Sequence, residues 1–213
     1  SVLDKVIVGN IEDAELPYPE EYFDCLTCLD VLEHLVDPWQ TVGKLKRLLM
    51  PGGYLVVSIP NVGFYEVITG LARGQWTYMD HGVLDRTHLR FFTARELGTW
   101  LAREGFEVVK LQPLCMIQSE ETSLDEEGYM NLPLLRIGPL TKAQHIHLCT
   151  YQYLVIARKP LHGALEAGYR ALESEDYERA CWLAESAQKE HPTESKLLLA
   201  LSLIHISEPT RPY

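Results

Sequence analysis

Asp30, Glu33 and His34 lie together in one short stretch, and His88 closes the polar run Asp85-Arg86-Thr87-His88; these are the residues whose types and spacing could do chemistry. Imidazole changes charge near neutral pH, so His34 or His88 can act as a general base toward a hydroxyl. The competing reading for each is a hydrogen-bonded structural histidine. Asp30-x-x-Glu33-His34 with His88 also holds the ligand types for a divalent cation, although the expectation is a site with no metal. Asn10 and Ile11 follow Gly9, and Leu29 precedes Asp30. Both pairs end apolar runs, as does the stretch from Ser58 to Asn61. A plain turn residue is the alternative for Asn10, and a helix-start cap the alternative for Asp30.

The elements that must position these residues follow from the hydrophobic pattern. Val6-Ile7-Val8 reads as a short buried parallel strand, and Phe23 to Leu29 as a second. Asp37 has the chemistry of an N-cap and Pro38 suits the first helical position. Val42, Leu45, Leu48 and Leu49 then recur at helical spacing. Pro51-Gly52-Gly53 is expected to stop that helix ahead of a strand at 54–59. Thr93-Ala94-Arg95-Glu96 reads as a capping box, opening a helix that turns Leu97, Trp100 and Leu101 inward and ends at Gly105. Two last strands fall at 106–111 and 151–157. Alternating strands and helices imply an α/β fold, a parallel sheet with helices on both faces whose final pair forms an antiparallel edge. In such a sheet ligands bind at the carboxyl ends of the strands, where Asn10, Ile11, Leu29 and Asp30 fall. Residues 116–147 read as a solvated insertion, with a substrate lid as the alternative. Trp76 and Tyr78 are candidates for an acceptor pocket, and Phe91 and Phe92 for packing between helices.

The order Asp30-Val31-Leu32-Glu33-His34, Pro51-Gly52-Gly53, Ser58-Ile59-Pro60-Asn61, with Gly9-Asn10-Ile11-Glu12 before it and Gly82 to Thr93 after it, resembles the second half of a class I S-adenosylmethionine (SAM) dependent methyltransferase. The resemblance extends over about Val6 to Phe106, within the broad group of ubiquinone-biosynthesis O-methyltransferases. It implies a Rossmann-like sheet lacking its N-terminal βα units and SAM as cofactor. Asn10 and Ile11 would edge the adenine, and Leu29 and Asp30 would line the sulfonium. His34 or His88 would be the catalytic base, and the acceptor a small molecule or glycan. Asn10 departs from the usual Asp but still offers an amide oxygen. Some related O-methyltransferases place a cation on a Glu-x-x-Glu-His variant of the motif. No glycine-rich cofactor loop is seen upstream, so the half that grips the cofactor's amino-acid end is expected before Ser1, and the chain as given is expected to bind SAM poorly. A scaffold that has lost catalysis is the alternative function.

The chain of 213 residues has 46% hydrophobic and 23% charged residues and a net charge of -11, ordinary globular composition. That charge argues against a nucleic-acid partner, which would demand a basic face. No apolar run is long enough to span a membrane, and no signal pattern opens the chain, so a cytoplasmic protein is expected. Five cysteines at irregular positions suggest no disulfide framework. Cys25 and Cys28 would fall on opposite faces of a strand rather than form a redox pair. The methyltransferase domain is assigned to 1–159. From 161 to 200 the pattern changes to a helical pair carrying small residues such as Ala164, Gly168, Ala180 and Ala184, which resembles one tetratricopeptide (TPR) repeat and suggests a protein partner. Residues 201–213 resemble a translated sequencing adapter and are read as a non-native tail.

Overall fold

A computed structural model describes residues 4–117, 119–160, 163–189 and 192–207. The first strand is β1, Phe23–Leu29. A single 3-10 turn at Leu32–His34 leads to α1, Pro38–Leu48, whose N-cap Asp37 accepts a hydrogen bond from the Gln40 amide at 2.9 Å. Strand β2 runs Leu49–Pro60 and helix α2 Tyr65–Ala72. Helix α3, Ala94–Arg103, is capped by the Thr93 hydroxyl on the Glu96 amide, and buries Leu97, Trp100 and Leu101. Then come β3, Glu107–Met116; the small hairpin β4, Met130–Leu132, and β5, Leu135–Ile137; α4, Lys142–Cys149; and β6, Thr150–Arg158. Helices α5, Ala164–Glu173, α6, Tyr177–Ala187, and α7, Pro192–Ser207, complete the described chain.

The main sheet has the order β1-β2-β6-β3. Strands β1 and β2 are parallel, with Leu29 beside Ser58. Strand β6 is antiparallel to both neighbours and is inserted between β2 and β3. The final pair therefore is antiparallel as expected, but its last strand lies inside the sheet rather than at its edge. Leu32, Val42, Leu49, Leu55, Val57, Leu97, Leu101 and Val155 make the core between sheet and helices, each almost fully removed from water.

Three expectations need correction. Val6, Ile7 and Val8 form no strand, and Val8 is 94% exposed; β1 is an edge strand among the described residues, and the segment does not pair with its open edge. Pro51-Gly52-Gly53 does not precede β2 but lies within it. Gly52 adopts φ +79 and its amide reaches the Lys159 carbonyl, while a Cβ on Gly53 would meet the Asp24 carbonyl at 3.0 Å. The glycines thus let the strand begin right after α1 and pass close to β1. Finally, the stretch 116–147 is no solvated insertion. Met130 and Leu132 within it, and Leu148 and Cys149 just after it, are buried against Phe64, Tyr65, Val67 and Val83 in a second core, giving α2 an apolar partner.

The helical pair α5 and α6 forms a third core from Ala167, Ala171, Ala180, Leu183 and Ala187. A Cβ on Gly168 would fall 2.4 Å from Leu198 Cδ2 of α7, so the glycine lets that side chain seat against α5 without shifting. One carboxylate joins this bundle to the sheet: Glu21 lies within 4 Å of Lys159, Arg170 and Arg179, and its carbonyl accepts from Arg179. Leu161, the Ala164 side chain, His191 and residues 208–213 lie outside the described residues. Cys28 is buried and Cys25 exposed, on opposite sides of β1.

Candidate functional site

The carboxyl ends of β1 and β2 carry the candidates. Asp30 turns the chain out of β1 in the left-handed region, at φ +53, a conformation that Asp tolerates better than most residues. It is not a helix cap, since Val31 occupies that position before the 3-10 turn. Its amide meets the Ser58 hydroxyl at 3.0 Å, and its Oδ1 accepts from the Ser58 hydroxyl at 3.0 Å and from Gln152 Nε2 at 2.5 Å. A carboxylate is thereby fixed above three adjacent strands. Gln152 was not legible as a site residue, because nothing in the sequence shows that β6 is inserted beside β2. Leu29, next to Asp30, is 54% exposed.

Asn10 is exposed and builds a local turn: its Oδ1 accepts from the Glu12 amide at 3.1 Å and its Nδ2 donates to Asp13 at 2.8 Å. An amide oxygen has two lone pairs, so one stays open to a ligand. Ile11 packs against the main core alongside Val31. Glu12, which sequence reasoning left without a role, anchors this turn: its carboxylate accepts from the amides of Val36, 3.1 Å, and Asp37, 2.6 Å.

The structure brings His34 and His88 together, with ring centroids 4.8 Å apart in an edge-to-face arrangement. His34 Nδ1 lies 3.2 Å from the Thr87 carbonyl, and His88 Nδ1 lies 3.0 Å from the Val83 carbonyl. A carbonyl only accepts, so each Nδ1 is the donor, and the neutral form of each ring keeps its lone pair on Nε2. His88 is buried and His34 exposed. The Glu33 carbonyl accepts from the amides of Leu89 and Arg90, which locks the two segments together. The Glu33 side chain is 1% exposed, and neither carboxylate oxygen has a hydrogen-bond partner. Burial pushes its carboxyl up to about 7, with the Asp30 carboxylate adding to the rise and His34 opposing it. Ligand atoms of Glu33, His34 and His88 all lie within 4.8 Å of one another.

Beside this cluster, a cavity of about 350 Å³ opens between α2, the 75–84 loop and the start of β6. Gln75, Thr77 and Met79 line it; Trp76 and Tyr78 do not, because alternate side chains of the extended loop face away. Trp76 instead meets Phe91 edge-on at 5.1 Å, while Phe92 stacks on Trp100 as packing residues do.

A family model described as a methyltransferase domain matches residues 3–111, just over half of the chain. This chain belongs to the SAM-dependent methyltransferase family. A ubiquinone biosynthesis O-methyltransferase of Saccharophagus degradans is 31% identical over 114 residues, 49% of this chain and 42% of that protein. Its namesake from Xylella fastidiosa is 34% identical over 110 residues, 46% of this chain and 39% of the relative. The chain therefore spans about two fifths of the length of these relatives. Among solved structures, a SAM dependent methyltransferase from Archaeoglobus fulgidus shares 17% identity with a TM-score of 0.49, covering 72% of this chain and 66% of its own. SAM is the cofactor of the family. The residues present fit it: an anchored carboxylate at Asp30 suits a sulfonium, and the open lone pair of Asn10 suits an amino group. No helix among the described residues is long and apolar enough to cross a membrane.

Proposed function

We propose that this methyltransferase transfers a methyl group to a hydroxyl of a small-molecule or glycan acceptor, with His34 or His88 as the general base. The observation that carries this reading is the pair of imidazoles held through Nδ1 by backbone carbonyls, an arrangement that leaves each Nε2 free to accept a proton when the ring is neutral. SAM supplies an electrophilic methyl on a positive sulfur. Asn10 and Ile11 would hold its adenine, and Leu29 and Asp30 its sulfonium end. Asp30 stays aligned because Ser58 and Gln152 both bond one of its oxygens. Displacement at a methyl needs acceptor and donor in line, so the work left to the protein is alignment and removal of the acceptor's proton. Isothermal titration of the complete protein with SAM tests the reading: absence of binding at millimolar ligand would sink it and favour the scaffold alternative.

One observation favours a second reading of the same cluster. A buried carboxylate without a partner is costly, and Glu33, His34 and His88 converge as oxygen and nitrogen ligands would around a divalent cation. These three residues would hold the ion, which would act as an electrophile toward the acceptor oxygen. Thermal unfolding with added Mg²⁺ or Zn²⁺ separates the two: a cation site raises the midpoint of the native protein and leaves Glu33→Gln unmoved. The helical pair α5 and α6 is read as TPR-like, supported by its small-residue core and by the stacking of α7 on Gly168, and would serve a protein partner.

A further inference from the structure

The cavity between α2 and the 75–84 loop has walls that the methyl-transfer chemistry does not itself explain. Phe64, Val67, Val83 and Tyr151 supply apolar surface, and Phe64 meets Tyr151 edge-on at 5.5 Å. Tyr151 and Gln152 start β6, so the cavity adjoins the Gln152 that holds Asp30. On the other side, the carbonyl of Val83, a wall residue, orients His88. Two wall residues thus tie the cavity to the candidate site: Tyr151 directly precedes Gln152 in the chain, and the Val83 carbonyl holds His88. Its charge is one-sided: among the described residues Glu66 lines it, no lysine or arginine does, and His81 is the only lining side chain able to become positive. Arg86, in the adjoining loop, is paired with Asp80. Tyr151 reports the resulting field, its phenol being pushed up first by burial and then by Cys115, Glu66, Asp30 and Asp85. Asp85 keeps its charge, because the Thr87 hydroxyl and amide bond its Oδ1 and hold its carboxyl below the usual range.

We infer that this cavity seats the methyl acceptor and selects by charge, taking a small ring compound that is neutral or carries an ammonium group and rejecting carboxylates and phosphates. The selection rests on the methyltransferase reading above, and deepens it. An aromatic ring packs against the apolar wall that Phe64 and Tyr151 form together, while Glu66 at the exposed rim attracts an ammonium arm and repels an acidic one. With a single exposed carboxylate, the difference between the two arms is roughly five- to tenfold at low salt.

The test uses three probes that differ only in the arm: tyramine, 4-ethylphenol and 3-(4-hydroxyphenyl)propanoate, titrated into the full chain and into Glu66→Gln with binding followed by ligand-observed NMR. The expected order is ammonium, then neutral, then carboxylate, with the spread shrinking to about twofold in Glu66→Gln and shrinking likewise as salt is raised. The inference is overturned if the carboxylate probe binds as well as tyramine, if the spread survives Glu66→Gln, or if none of the three binds. S-adenosylhomocysteine titrated into the complete protein, as in the test of the methyl-transfer reading above, keeps the two readings apart. Cofactor binding there without the charge order rejects the pocket alone, whereas the charge order without cofactor binding there leaves the pocket and rejects the methyl-transfer reading proposed for it.

Discussion

Glu33 offers the sharpest test of the site's electrostatics. Its carboxyl has an ordinary value of 4.5 and is pushed up to about 7 by burial in the fold. Between those values unfolded chains release the proton while folded chains keep it, so stability falls as pH rises. At ~1.4 kcal/mol per pH unit, the penalty grows from below about 1 kcal/mol near pH 5 to about 3 kcal/mol at pH 8. Glu33→Gln removes the ionisation and nearly keeps the shape. Its amide is no better satisfied than the acid, but that cost does not vary with pH. The variant should therefore gain about 2 to 3 kcal/mol on the native protein between pH 5 and pH 8. Urea unfolding at half-unit intervals, in chelator to keep cations away, measures the difference directly. A gap that stays constant across that range would refute the reasoning, and so would one that widens in the opposite direction.

Three other substitutions probe the scaffold around the site. Gly63→Ala would put a Cβ 2.5 Å from His147 Nε2 and 3.0 Å from the buried Asn61 Oδ1, so a loss of about 1–3 kcal/mol is expected on thermal unfolding; an unchanged midpoint would show that His147 swings aside freely. Asp37→Ala removes the cap on the Gln40 amide and should cost about 1 kcal/mol, read by chemical denaturation. Replacing Glu21 by Gln removes the charge facing Lys159, Arg170 and Arg179. Limited proteolysis should then cut within 160–189 several times faster while cutting of the sheet is unchanged, and equal protection of both parts would contradict the role given to that junction.

The local signals were legible where one short stretch decides the outcome. Asp37 and Pro38 open α1 as their chemistry dictates, and Thr93 caps α3 through the Glu96 amide. Failures came where distant chain segments decide. Val6-Ile7-Val8 has the composition of a buried strand, yet a strand exists only where the segment pairs, and this one does not join the open edge of β1. Pro51-Gly52-Gly53 carries the composition of a turn, but close passage past Asp24 turns those glycines into strand residues. Helix α2 went unseen although Tyr65, Val67 and Thr69 are buried on it, because its partners Met130, Leu148 and Cys149 come from a stretch too polar to suggest a core. At the site, His34 and His88 were both recognisable by type, whereas their contact depends on the amides of Leu89 and Arg90 meeting the Glu33 carbonyl. Glu33 itself was noted as a ligand type, but its lack of any hydrogen-bond partner is a property of packing alone.

Glu21 and its three cations sit where β2 begins, close to Leu49, whose carbonyl accepts from Lys159, while Ser58 and Asp30 meet where β2 ends. Leu49 and Ser58 lie beside Phe23 and Leu29 of β1, on the order of 20 Å apart at about 3.3 Å per residue. More than two screening lengths of physiological saline fit into that span. A phosphate, a mutation or a partner that changed the charge of the helical bundle would be electrically faint at the Asp30 end. Whatever passes between the two ends has to travel as displacement of the backbone, which makes β2 a mechanical strut rather than a wire.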